Sequence, residues 1–371
     1  MAKPYLGKKE EDYVLRVLRS GQLSIGPYLE KFEKEFAKRA GTRYACGVSS
    51  GTAGLHLALI AAGVGPGDEV ITSPLSFIAS ANAVLYVGAI PIFADIDPHT
   101  YNINPDEVEK KITTRTKAIL PVHIFGQPAA MEKIMQLAAK HNLAVVEDAC
   151  ESLEATYRGQ KTGTFGLAGV FAFYPNKQMT TGEGGMIVTN SERVDALCRS
   201  LRNQGRSANL QWLDHAQLGY NYRLDEMSAA VGLAQIENID FLIQKRQELA
   251  EWYTEALEPL SKYIELPHTG PDATHTWFVY VVRIKNQHIK RNEVIAALAK
   301  EGVSSKPYLP AIHLFEFYQK FGHRRGEFPI AERAGDSTFA LPFYIGLTKA
   351  DVRQIAGMLE KVFKKYEKYF Y

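Results

Sequence analysis

Short apolar runs alternate with amphipathic stretches along the first half of the chain. The runs Tyr44–Val48, Glu69–Thr72, Ile90–Ile96, Ala118–Phe125, Leu143–Asp148, Val170–Tyr174 and Met186–Thr189 predict strands. Between most of them, Thr52–Ala62, Phe77–Val87, Asp106–Ile112 and Ala130–His141 predict helices. Several of the strands are apolar throughout, the pattern of strands covered on both faces. Strand–helix alternation of this kind predicts an α/β layered domain with a mainly parallel sheet.

The pattern changes after residue 220. Asp225 to Leu257 holds no proline and predicts one long helix, with Asp225 capping its start. An alternating strand (Thr276–Ile284), a helix (Asn292–Lys300), proline-punctuated loops and an amphipathic helix from Thr348 follow. The last residues, KKYEKYFY, read as a solvated helix end. These elements predict a large α/β domain over 1–245 and a smaller α+β domain over 246–371, without internal repeats or a low-complexity linker.

Composition narrows the partners. The 371 residues are 46% hydrophobic and 23% charged, long enough to bury a core that needs no metal or disulfide. Basic and acidic residues number 43 and 41, a net charge of +2, which argues against a nucleic-acid binder or an acidic-membrane binder. Cys46, Cys150 and Cys198 are odd in number and form no C-x-x-C pair, as expected of reduced thiols. The segment MAKPYLGKKEEDY is charged and has no apolar core, and no apolar run approaches the roughly 20 residues of a membrane span. A cytoplasmic protein of enzyme size is expected.

Three segments carry candidate chemistry. Gly47-Val-Ser-Ser-Gly51 matches the G-x-S-x-G elbow of hydrolases, but Ser49 follows the first strand and no HGGG-type segment accompanies it. Within the same segment, Ser50-Gly51-Thr52 turns a strand into a helix, where free N–H groups and the helix dipole favour an anion such as phosphate. A plain helix cap explains the same letters equally well. Asp148 ends the apolar strand Val145-Val-Glu-Asp148, where open α/β sheets bind ligands, and it needs a cationic or hydrogen-bonding partner if buried. A helix cap or a structural ion pair is the alternative. Lys177 ends the aromatic run FAFYPNK and precedes the glycine-rich TTGEGG, the setting of an amine nucleophile or of a solvated lysine. A phosphate cradle, a carboxylate and an amine together match the needs of pyridoxal phosphate (PLP): the carboxylate pairs with the pyridine nitrogen and the lysine forms the Schiff base. Phe77 is placed to stack on the ring.

FAFYPNKQMTTGEGG (171–185) resembles the Schiff-base segment of the DegT-type sugar aminotransferases, fold type I PLP enzymes acting on nucleotide-linked keto sugars. SGQLSIGPYLEKFEKEFA (20–37), SSGTAGLHLAL (49–59), TSPLSFIASANA (72–83), VEDACE (146–151), GYNYRLDEMSAAVGLAQ (219–235) and KPYLPAIH (306–313) extend the resemblance in order. It implies an aspartate aminotransferase-like fold in which Lys177 binds the cofactor covalently and moves the proton. It also implies that Asp148 pairs with the pyridine nitrogen, Phe77 stacks, and Gly51 with Thr52 holds the phosphate. Asn221 matches the residue that reaches the phosphate from a second subunit, implying a homodimer with shared active sites. Tyr308 and His313 match the sugar-facing loop and serve equally as contacts or packing. Arg223 suits a phosphate, a carboxylate or a dimer ion pair. Two positions depart from the pattern. Glu151 replaces a common glutamine, and when ionised it donates no hydrogen bond to the cofactor's phenolate oxygen. It must therefore be protonated, act through water or turn away. Ala172 replaces a common phosphate-binding serine, a loss of about 1.5–3 kcal/mol if uncompensated.

The expected activity is transfer of an amino group, from L-glutamate as the resemblance implies, to a nucleotide-linked keto sugar in cell-surface polysaccharide or glycoconjugate biosynthesis. A hydrolase built on Ser49, the same chemistry on a keto cyclitol, and a non-catalytic PLP-binding regulator are the alternatives.

Overall fold

The computed structural model describes residues 3–207 and 214–366. Its central sheet is built from β1 (Tyr44–Val48), β2 (Glu69–Thr72), β3 (Ile90–Phe93), β4 (Thr116–Leu120), β5 (Ala144–Asp148), β6 (Ala168–Ala172) and β7 (Gly185–Thr189), in the order β1-β7-β6-β5-β4-β2-β3. β7 runs antiparallel to both neighbours, and the other adjacent pairs are parallel. The helices of this region are α1 (Lys8–Ser20), α2 (Pro27–Ala40), α3 (Gly51–Ala61), α4 (Ala79–Tyr86), α5 (Pro105–Lys111), α6 (Met131–His141), α7 (Glu192–Arg202), α8 (Glu226–Ile236) and α9 (Ile239–Leu257). The α/β reading of the pattern is therefore correct. β2 and β7 are buried along their whole length, β2 including Glu69 and Thr72 at its ends. α3 is apolar nearly all round and lies buried against β5, β6 and β7.

Several predicted strands end early. The readings Ile90–Ile96, Ala118–Phe125 and Val170–Tyr174 stop at Phe93, Leu120 and Ala172. The apolar residues beyond β3 and β4, among them Ile96, Val122 and Phe125, are buried all the same. They pack in one cluster with Val281, Ile312, Tyr318 and Ala340 from the C-terminal part of the chain. Beyond isolated bridges at Ile96 and Val122, it is this packing that buries them.

The long helix predicted over Asp225–Leu257 is two helices. Asp225 caps α8 as expected, accepting from the Ser228 N–H at 2.9 Å. Asn238 then leaves the helical region at φ −116, ψ 12, and its N–H bonds the Gln235 carbonyl, tightening the last turn. Asparagine is a poor helix former, but without proline or glycine the boundary left no strong mark. Ile239 and Leu242 join the core under α2 and β7, whereas Leu249, Tyr253 and Leu257 join Val282, Phe339, Leu359 and Phe363 in a separate C-terminal core.

That C-terminal core lies on a four-stranded antiparallel sheet in the order Ile264–Glu265, Val281–Ile284, Thr338–Ala340, Lys306–Pro307. The strand predicted over Thr276–Ile284 begins only at Val281. Upstream of it, Trp277 adopts φ +52, and the Thr276 and Phe278 N–H groups donate to the Gly126 and Phe125 carbonyls. This segment braces the loop after β4 instead of extending the small sheet. The last helix, Lys349–Lys364, starts at a Thr348–Asp351 capping box, and most of the terminal KKYEKYFY lies outside the described residues. No helix among the described residues is long and apolar enough to cross a membrane.

α1 and α2 fill a stretch where the pattern predicted no element. α2 starts with Pro27 at N1 and stops at Gly41, whose φ of +82 is the left-handed C-cap conformation. Its N-terminus is capped from far away: fully buried Glu226, at the start of α8, accepts from the N–H groups of Gly26 (3.0 Å), Tyr28 (2.8 Å) and Leu29 (3.0 Å). Glu226→Ala strands three donors at a positive helix end and is expected to cost about 3 kcal/mol or more. Urea unfolding of the cofactor-free protein checks this, and a loss below about 1 kcal/mol refutes the cap's importance.

Candidate active site

The carboxyl ends of the parallel strands open into a cavity of about 380 Å³. This is the edge where open α/β sheets bind ligands. Ser50, Gly51 and Thr52 from the β1–α3 turn line it, with Ser76 and Phe77 from the loop after β2. Asp148 ends β5 and Glu151 follows it, Ala172 ends β6 with Tyr174, Asn176 and Lys177 after it, and Phe278, Tyr308 and Leu309 come from the C-terminal part. Seven of the ten predicted site residues meet here: Gly51, Thr52, Phe77, Asp148, Glu151, Lys177 and Tyr308.

Two glycines make the turn possible. A Cβ on Gly51 would lie 2.7 Å from the Ala172 Cβ and 2.9 Å from the Cys150 Sγ. A Cβ on Gly185 would lie 2.6 Å from the Ser50 carbonyl carbon and 2.7 Å from the Gly51 nitrogen. The backbones of β1, β6 and β7 thus close on one another, and α3 starts at the cavity wall. Ser50 caps α3, accepting from the Ala53 N–H at 3.0 Å. Among the described residues, the Gly51 and Thr52 N–H groups find no protein acceptor. A cap and unpaired amides therefore occur together: the side chain of Ser50 takes one orphan donor, and the Gly51 and Thr52 amides of the turn stay free.

Asp148 is buried, and its partners are neutral donors. Ser80 on α4 donates its hydroxyl to Oδ2 at 2.7 Å, and the Cys150 N–H donates to Oδ1 at 3.2 Å. Ser76 shares a 2.8 Å contact with Ser80 and extends this chain. Neighbouring Glu147 points to the other face of the sheet. It accepts from the N–H groups of Gly163, Phe165 and Gly166 at 2.7–2.8 Å and meets His123 Nε2 at 3.0 Å. The Ala129 N–H points at His123 Nδ1, which leaves Nε2 as the histidine's donor toward Glu147.

Lys177 Nζ lies 3.5 Å from Glu151 Oε1 and 4.0 Å from the centre of the Phe278 ring. Glu151 has not turned away. Its Oε2 accepts the Phe125 N–H at 2.8 Å, and its other oxygen faces the amine. Burial pushes the Glu151 carboxyl up, against the pull of Lys177 and the Phe125 N–H. Burial, and then Glu151, also hold the Tyr308 phenol well above its ordinary range.

Three predicted residues lie elsewhere. His313 is fully buried under Phe328, with Nε2 3.0 Å from Glu332, and burial lowers its pKa. It is outside the cavity lining, because the loop turns after Leu309 and packs Ile312 and His313 inward. Arg223 donates to the Asn203 side chain at 3.0 Å, and Asn221 pairs with the Asn203 backbone and is exposed. Ser49 lines a different pocket with His56, Tyr86 and Tyr222, and His56 faces the Tyr222 hydroxyl at 3.3 Å. Among the described residues no base is hydrogen-bonded to Ser49, and the nucleophile-elbow alternative falls. Sequence reading also missed Ser80, Phe278 and Tyr174. Ser80 follows Phe77 by one helical turn, a spacing that was available. Nothing local marks Phe278, about 100 residues beyond Lys177.

The description of the DegT/DnrJ/EryC1/StrS aminotransferase family matches residues 4–360. The chain belongs to that family. A GDP-perosamine synthase of Caulobacter vibrioides is 40% identical over 364 residues, covering 98% of this chain and 97% of its own. The fold of an aminotransferase from Psychrobacter cryohalolentis superposes with a TM-score of 0.93 at 31% identity, covering 99% of both chains. S. venezuelae DesV, solved with a ketimine intermediate, superposes at 0.90 with 36% identity, covering 95% of this chain and 93% of its own. The protein is therefore a fold type I, PLP-dependent sugar aminotransferase. The cavity suits that cofactor, with free helix N–H groups for an anion, a buried carboxylate with neutral partners, and an amine.

The segment facing Lys177 makes stability depend on pH. His275, buried and stacked 3.9 Å from the Trp277 ring, accepts the Trp277 N–H at 3.0 Å. Burial lowers its pKa from 6.5 to about 3. As pH falls through this window the unfolded chain takes up a proton that the folded chain refuses, so stability present above 6.5 is lost toward 3. His275→Gln keeps an acceptor without titrating. It is expected to remove an acid-dependent loss on the order of a few kcal/mol, read as a flatter plot of unfolding free energy against pH. Parallel plots for variant and wild type refute this.

Proposed function

We propose that this aminotransferase acts on a nucleotide-linked keto sugar with L-glutamate as the amino donor, in cell-surface polysaccharide or glycoconjugate biosynthesis. The observation that carries the reading is the placement of the Lys177 amine, between the Glu151 carboxylate and the Phe278 ring in a cavity shared with Asp148 and the start of α3. The name of the Caulobacter relative, GDP-perosamine synthase, supports a nucleotide-linked sugar. The thiols of Cys46, Cys150 and Cys198 are free, which suits a reducing, cytoplasmic setting.

Each residue then has a task. The Gly51 and Thr52 N–H groups hold the cofactor's phosphate, and Ala172 contributes no hydroxyl to it. Asp148, steadied by Ser80, meets the ring nitrogen, and Phe77 covers the ring. When bound, pyridoxal phosphate supplies the electron sink that lets a proton leave the substrate carbon. Lys177 holds the cofactor and carries that proton at Nζ, with Glu151 as the acceptor that aims the amine. Tyr308 offers its neutral hydroxyl to the sugar. Phe77 is 61% exposed in the single chain, and Asn221 is exposed as well. Both suit a homodimer in which Asn221 reaches the partner's phosphate site. Arg223 beside it serves either the phosphate or the dimer contact. We further propose that the chain divides near residue 245, within α9, with the C-terminal part closing over the cofactor.

Lys177→Ala is expected to abolish transamination, and Asp148→Ala to reduce kcat by about a thousandfold with circular dichroism unchanged. Conversion of the yellow enzyme by L-glutamate, followed spectrally, checks the donor. Turnover by Lys177→Ala at the wild-type rate removes the mechanism. Sedimentation equilibrium checks the dimer, and a monomer with full activity removes the shared site.

A further inference from the structure

Arg246, on α9, is buried, yet among the described residues no carboxylate pairs with it. Burial lowers its pKa to about 10, the mark of a charge held without a counter-charge. A guanidinium in such a place is costly unless its donors are satisfied. Here the two terminal nitrogens meet backbone carbonyls, while the buried Nε has no hydrogen-bond partner among the described residues. Nη2 donates to the Lys177 carbonyl at 2.8 Å, and Nη1 donates to those of Trp277 (3.0 Å) and Phe278 (3.2 Å).

These three carbonyls belong to the two segments that define the amine's position. The Lys177 N–H is tied to the Tyr174 carbonyl at 2.9 Å, so with Arg246 both backbone groups of Lys177 are fixed. The lysine side chain itself meets the Glu151 carboxylate and the Phe278 ring. The next residue, Gln178, spans the same gap, donating to the Glu151 carbonyl and to Thr276 Oγ1. We propose that Arg246 is a positioning residue for the aminotransferase reaction: its guanidinium clamps the Lys177 backbone to the Trp277–Phe278 segment and thereby sets where the Lys177 amine stands in the cavity. Arginine suits the task because its planar fork reaches carbonyls of two segments at once, whereas a lysine head is a single point of contact.

The inference rests on the proposed role of Lys177, and the test separates the two. Cofactor-free wild type, Arg246→Gln and Arg246→Lys are mixed with pyridoxal phosphate. Covalent capture is trapped at intervals with borohydride and located by peptide mass spectrometry. Absence of label at Lys177 in the wild type means that the role of Lys177 has failed, and the clamp falls with it. With wild-type label at Lys177, capture by Arg246→Gln is expected to be at least about tenfold slower, with kcat reduced to match and KM for the sugar substrate within about twofold. Arg246→Lys is expected to lie between the two. Capture by folded Arg246→Gln within about twofold of wild type overturns the proposal. If Arg246→Gln does not fold, Arg246→Lys decides: slowed capture at an unchanged melting temperature supports the clamp, and an unchanged rate overturns it. Failure of both variants to fold makes Arg246 a stability residue and also overturns it.

Discussion

The site depends on how closely three strands approach one another at the β1–α3 turn. Gly185 brings β7 against the Ser50 backbone, and Gly51 brings the first turn of α3 against Ala172. Any larger side chain at either position would push α3 away from the sheet, because the atoms in the way are backbone or short, stiff side chains. With the approach made, the free amides of α3 lie along the same cavity as the ends of β5 and β6. The free amides, the carboxylate and the amine converge because strand ends of a parallel sheet sit side by side.

Around that point the protein buries several charges, and it satisfies each differently. Glu147 is saturated by three backbone amides and a histidine, and is structural. Asp148, the next residue, accepts from Ser80 and the Cys150 N–H and faces the cavity. Consecutive residues of a strand point to opposite faces, so one carboxylate builds the scaffold and the other lines the cavity. Glu151 divides its two oxygens between a backbone amide and Lys177. The sequence comparison left three states open for it. The structure has it facing the amine, with burial pushing its pKa up against the pull of Lys177 and the Phe125 N–H.

The α/β class, the succession of strands and helices, and the residues at the strand ends were legible in the pattern. A strand buried on both faces must be apolar throughout, and a carboxylate or lysine that interrupts such a run stands out. The break at Asn238 and the shortened strand before Val281 were not legible. The first lacks a strong breaker, and the second exists because Thr276–Phe278 bonds to a loop some 150 residues earlier. For the same reason His313 looked like a neighbour of Tyr308 along the chain, yet it packs inward after the loop turns.

Lys177, Asp148 and the Ser50–Gly51–Thr52 turn could be singled out from the order of residues alone, because their chemistry and their place at element ends are local properties. Ser80 beneath Asp148, Phe278 beside Lys177 and Arg246 behind it could not. Each meets its partner through a contact between segments about 68 to 101 residues apart. Local periodicity records which face of an element is buried but not what it is buried against. Only the folded chain brings those partners within hydrogen-bond reach.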